Sequence, residues 1–134
     1  MKFLTVLILA ATLVACGSRS SDESQVREVI DSVEAAAEKR DASDVMAFVA
    51  TDYTDSEGFD RTQLQNFLRA YLLAHPKVEL LTSIDKLEFP ADGLAQAEVT
   101  VTGIAVSDFD RVRLKVEFRR NAGEWLVSRV DRLR

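Results

Sequence analysis

The hydrophobic period of this chain changes at Pro76. Ahead of it, apolar residues recur every three or four positions; behind it, they alternate with polar ones. Those are the periods of a helix and of a half-buried strand. Val26, Val29, Ile30, Val33 and Ala37 make one stripe, so a first helix is predicted from about Ser24 to Arg40. Asp22 and Glu23 at its start and Lys39-Arg40 at its end suit the helix dipole. Asp41 is the expected N-cap of a short second helix carrying Val45, Phe48 and Val49. The polar stretch from Thr51 to Gly58 reads as a loop with a brief strand at Tyr53-Thr54. Asp60 and Gln63 have capping-box spacing and open a third helix, with Leu64, Phe67, Leu68, Tyr71 and Leu72 on one face and Pro76 closing it.

Four strands are expected after Pro76: Lys77 to Phe89, Ala95 to Val106, Arg111 to Arg120, and Glu124 to Leu133. Pro90 to Gly93 and Asn121 to Gly123 are turns, and Ser107 to Asp110 is a link. In the first strand, Val78, Leu80 and Ile84 share one parity while Leu87 and Phe89 have the other, which predicts a bulge or bend between them. In the third, Val112, Leu114, Val116 and Phe118 alternate with Arg111, Arg113, Lys115, Glu117 and Arg119. Helices followed by consecutive strands imply an α+β fold, with one face of an antiparallel sheet under the helices and the other wet. At 134 residues the chain has room for one such domain.

The amino terminus carries a different message. Lys2 precedes the apolar run Phe3 to Leu13, which is short for a permanent bilayer span, and Leu13-Val14-Ala15-Cys16 follows. This resembles the lipobox of bacterial lipoproteins. The resemblance implies removal of residues 1–15 as a signal peptide, acylation of Cys16, and a polar tether over residues 16–24 leading to the domain at 25–134. The alternative is an ordinary signal peptide with Cys16 left as a free thiol. Two or more acyl chains make a lasting anchor, since each buried CH₂ contributes about 0.8 kcal/mol. Gly17 after the cysteine, in place of an aspartate, points to the outer membrane of a Gram-negative envelope, facing the periplasm.

The order of the remaining motifs resembles the nuclear transport factor 2-like superfamily. Its carriers are Ile30, Arg40-Asp41-Ala42, Val45, Phe48-Val49-Ala50-Thr51-Asp52-Tyr53 and Gly123-Glu124-Trp125-Leu126-Val127. That superfamily includes ketosteroid isomerase and polyketide cyclases, and the resemblance implies helices on a curved sheet with a conical pocket between them. Tyr53, Phe59, Phe67, Tyr71, Phe118 and Trp125, with Val116, are the candidate lining; the competing reading is that they fill the cone as core.

Catalytic chemistry is weakly supported. Isomerase-like chemistry needs a carboxylate base in an apolar site beside an oxyanion hole. Only Tyr53 with Asp55, or Tyr71 with an inward acid, offers a fragment of it. His75 at a helix end is accounted for by the dipole. Asp52, Asp55, Glu57 and Asp60 lack the spacing of a calcium loop and suit solvation and capping. The basic row Arg111, Arg113, Lys115 and Arg119 is expected to pair with neighbouring acids such as Glu98. No phosphate-binding glycine loop, Cys-x-x-Cys or HExxH occurs, so no cofactor or metal is expected. The net charge of −5 argues against nucleic acid as a partner. The expectation is a membrane-anchored, non-catalytic domain binding a small apolar ligand or an envelope protein, monomeric or weakly dimeric; a cofactor-independent isomerase, dehydratase or hydrolase is the alternative.

Overall fold

The structure, a computed structural model, describes residues 15–105 and 108–134. The signal-peptide reading of residues 1–15 lies, but for Ala15, outside the described residues. Three helices, α1 (Ala15–Glu38), α2 (Ala42–Met46) and α3 (Arg61–Ala74), accompany five strands: β1 (Val49–Asp55), β2 (Glu79–Ala91), β3 (Leu94–Ala105), β4 (Asp108–Asn121) and β5 (Glu124–Leu133). The strands form one sheet in the order β1-β5-β4-β3-β2. The helices pack on one face of this curved sheet, as the α+β reading expects.

Local signals set most boundaries. The Asp41 side chain accepts from Asp44 N and starts α2. Asp60 and Gln63 exchange both capping-box bonds, at 2.8 and 2.9 Å, and start α3. The parity change in β2 is a register shift between Ile84 and Lys86, where the bulge was expected. A second irregularity sits in β5: Glu117 faces Arg129 while Phe118 faces Val127, leaving Ser128 unpaired in register. Its Oγ donates to Glu117 O at 3.2 Å.

Several expectations need correction. Helix α1 begins at Ala15, ahead of Ser24, so Asp22 and Glu23 lie inside it, and Lys39-Arg40 lie beyond its end. The end is set by backbone geometry instead of charge. Arg40 takes φ +60°, Arg40 N reaches Ala37 O and Asp41 N reaches Ala36 O, a Schellman closure. Phe48 falls outside α2, and Val49 opens β1. The stretch read as a loop holds a full strand, β1, paired parallel with β5. The sheet is therefore mixed, with one parallel edge pair on an antiparallel body. Pro90 and Ala91 belong to β2, so the turn contracts to Asp92-Gly93, and β4 reaches back to Asp108 through the expected link.

The core lies between the sheet and α1. Val26, Val29 and Ile30 meet Ala95, Ala97 and Val99 of β3, Val116 and Phe118 of β4, and Trp125 and Val127 of β5. Small and large side chains face each other across the register, Ala95 with Phe118 and Ala97 with Val116, which lets one layer fill evenly. Arg120 closes this end: it bonds Asp22 of α1 at 3.0 Å and Asp92 of the β2–β3 turn at 2.9 Å, and its guanidinium lies over the Trp125 ring at 5.5 Å.

Candidate functional site

At the other end of the sheet the core is not filled. A cleft of about 630 Å³ opens between α3, the β1–α3 loop and the inner sheet face. Its sheet wall is Leu80, Val101, Val112, Leu114 and Val130, inner-face positions of β2 to β5. Its other wall is aromatic. Phe59, Phe67 and Tyr71 line it, with successive ring centroids 5.8 and 6.1 Å apart, and His75, which does not line the cleft, stacks on Tyr71 at 4.1 Å. Helical spacing puts Phe67, Tyr71 and His75 in one row, each four residues from the last. Phe67 stays 51% exposed and Tyr71 39%, so these rings coat the cleft without closing it.

Polar groups sit at its mouth, and most are committed. The Tyr53 hydroxyl donates to Asp55 Oδ2 at 2.9 Å, while Asp55 Oδ1 accepts from Glu57 N and Phe59 N, both at 3.0 Å. Tyr53 is 2% exposed. Burial first, then the hydrogen bond to Asp55 and the negative charges of Asp55 and Asp131, push its phenol well above the ordinary 10.0. Asp131 caps the same loop, accepting from Ser56 N at 2.9 Å and from Arg129 Nε at 2.7 Å. Burial would raise its carboxyl, but the bonds from Arg129 and Ser56 outweigh it and hold the group below its ordinary range. Glu57 and Arg132 complete the charged rim. Chemically this is a staple: the phenol and carboxylate spend their hydrogen bonds fixing the loop, whereas an oxyanion hole needs donors free to meet a substrate.

The structure brings four of the six sequence-selected lining residues together here: Tyr53, Phe59, Phe67 and Tyr71. Phe118, 1% exposed, is buried in the core, and Val116 is buried nearby. Trp125 is buried at the opposite end, edge-on to Phe89, beside a second hollow of about 540 Å³ between α1 and the β4–β5 turn. Its Nε1 has no hydrogen-bond partner. The sheet wall and Arg132 were not selected from the sequence; strand parity carries the signal for Val112 and Leu114, which share the inward register of Val116, but Val130 and Arg132 face inward only because the β5 irregularity at Ser128 reverses the parity set by Trp125 and Val127.

The other candidates have structural work. His75 Nδ1 lies 2.8 Å from Tyr71 O, so it donates to the last turn of α3. Arg40 Nη2 reaches Leu72 O at 2.8 Å and serves the same helix end. Asp60 caps α3, Asp52 pairs with Arg119, and Arg113 pairs with Glu98 at 3.5 Å as expected. Among the described residues no group of three or more His, Cys, Asp or Glu is placed to hold a metal ion, and no helix is long and apolar enough to cross a membrane. The Cys16 side chain lies outside the described residues.

No protein-family model and no curated protein sequence matches the chain. Solved structures do. A nuclear transport factor 2-like protein of unknown function from Pseudomonas putida superposes with a TM-score of 0.71 at 20% identity, covering 84% of this chain and 86% of that one. A similar protein of unknown function from Shewanella oneidensis gives 0.69 at 13% identity, over 83% and 98%. A putative scytalone dehydratase from Novosphingobium aromaticivorans gives 0.71 at 11% identity, over 87% and 86%. At these identities the likeness is one of fold: the chain has the nuclear transport factor 2-like architecture.

Proposed function

We propose that this nuclear transport factor 2-like domain is carried by a lipid-anchored envelope protein facing the periplasm, and that it binds a small, largely apolar molecule in the aromatic cleft without transforming it. The supporting observation is the cleft: about 630 Å³ of space walled by rings and aliphatic side chains, the size and character of a small-molecule site. The pairing of Tyr53 with Asp55 favours binding over catalysis, because the buried phenol is already spent on its own loop. Catalysis by Glu57, a carboxylate that lines the cleft, is the enzymatic alternative. The anchor reading rests on Lys2, the apolar run and Cys16.

Anilinonaphthalene sulfonate, whose fluorescence rises in apolar sites, tests the cleft. It should bind the chain of residues 17–134, without leader or lipid, saturably at one site, and Phe67→Ala should weaken it about tenfold, the loss of one aromatic contact. No saturable binding, or binding indifferent to Phe67, would refute the site. Radiolabelled palmitate tests the anchor: the wild-type chain should take up label, and Cys16→Ser should not.

A further inference from the structure

We infer that the cleft opens at the end of the domain remote from the bilayer, and so takes its ligand from the water phase instead of from the membrane. The inference rests on the anchor and cleft readings just proposed. Two contacts fix the direction of α1 along the sheet. Near its amino end, Asp22 pairs with Arg120, which also holds Asp92, at the edge where the β2–β3 and β4–β5 turns lie. Farther along, Glu34 accepts from Thr82 of β2. Thr82 pairs with Val101, a residue of the cleft wall. The helix thus runs from the turn end toward the cleft end, covering about 18 Å between those two contacts at 1.5 Å per residue.

Followed backward from Asp22, the same helix reaches Ala15, about 9 Å farther from the cleft by the time it passes Cys16. On the sheet, Val112 of the cleft wall stands about 26 Å along β4 from Arg120, at 3.3 Å per residue. Lipid attachment and cleft mouth are therefore separated by on the order of 30 Å, with the packed core between them. The helix leaves no slack loop between Cys16 and the domain that would let the body turn over. A bilayer-resident acyl chain has no path into such a mouth. The ligand is a water-borne amphiphile: a ring system for the aromatic row, with a polar group for the rim formed by Glu57 and Arg132.

Lipidated full-length protein in phospholipid vesicles provides the test. Acylation consumes the natural thiol, so Ser56→Cys at the mouth and Asn121→Cys at the turn each introduce a unique labelling site. With an energy acceptor on the lipid headgroups, the label at 121 should transfer at least about twofold more efficiently than the label at 56, given the length of the sheet. Naphthalene-2-sulfonate, too polar to enter lipid, should bind vesicle-held protein within about threefold of its affinity for the soluble chain of residues 17–134, which lacks the leader and the lipid-bearing cysteine. Equal or reversed transfer, or sulfonate binding weakened more than about tenfold on vesicles, would overturn the inference. Flotation with the vesicles reports the anchor separately, and sulfonate binding to the soluble chain reports the cleft, so failure of either premise is distinct from failure of the orientation.

Discussion

The two ends of the sheet solve opposite problems with the same strand pattern. At the turn end, inward positions of β3, β4 and β5 carry Ala95, Phe118 and Trp125, and α1 covers them; Arg120 then ties helix to turn. At the far end, the inward face continues through Val101, Leu114 and, past the irregularity at Ser128, Val130, but the cover is α3, whose aromatic row stands off and leaves a cleft. The difference teaches that alternation alone makes a face able to be buried. What buries it, or leaves it open, depends on which helix arrives there.

That comparison can be broken at its strongest point first. Phe118→Ala should cost about 3–5 kcal/mol in denaturant unfolding, the usual penalty for emptying a packed aromatic site. Phe67→Ala, at a half-exposed position, should cost less than about 1 kcal/mol while weakening ligand binding. Comparable losses at both would mean that the cleft end is core. A smaller effect is expected at the loop that frames the cleft. Tyr53→Phe removes the donor to Asp55 and should cost about 1 kcal/mol at neutral pH. The phenol's folded pKa is raised, so its contribution is complete below pH 10 and is lost as pH climbs from there toward the folded value. Unfolding curves for wild type should therefore steepen their decline above pH 10, and those for Tyr53→Phe should not.

The smallest effect sharpens the turn end. Ala122 holds φ +50° beside Gly123 at +81° in the β4–β5 hairpin, a two-residue turn that favours asparagine at the first position. Ala122→Asn should raise stability by about 0.5 kcal/mol, read as a shift in denaturation midpoint, and leave the cleft's affinity for anilinonaphthalene sulfonate unchanged.

The legible parts of the fold were those governed by neighbours in the chain. Asp41, Asp60 with Gln63, and the parity break between Ile84 and Leu87 act over a few residues, and each appears where expected. Strand β1 was opaque because its hydrogen-bond partner lies in β5, far along the chain: Thr54 pairs with Arg129 and Asp55 with Val130. Asp22 looked like a dipole charge because its actual partner, Arg120, is equally distant.

For the site, the sequence determined which residues are aromatic and which strand positions share a face, because side-chain direction follows from helical and pleated geometry. It settled the N-caps of α2 and α3 and the class of fold on the same local grounds. The tertiary structure alone decided that Phe67 and Tyr71 coat an open cleft while Phe118 and Trp125 close a core. Filling depends on the distance between a helix and a sheet, and that distance is set by every residue packed between them.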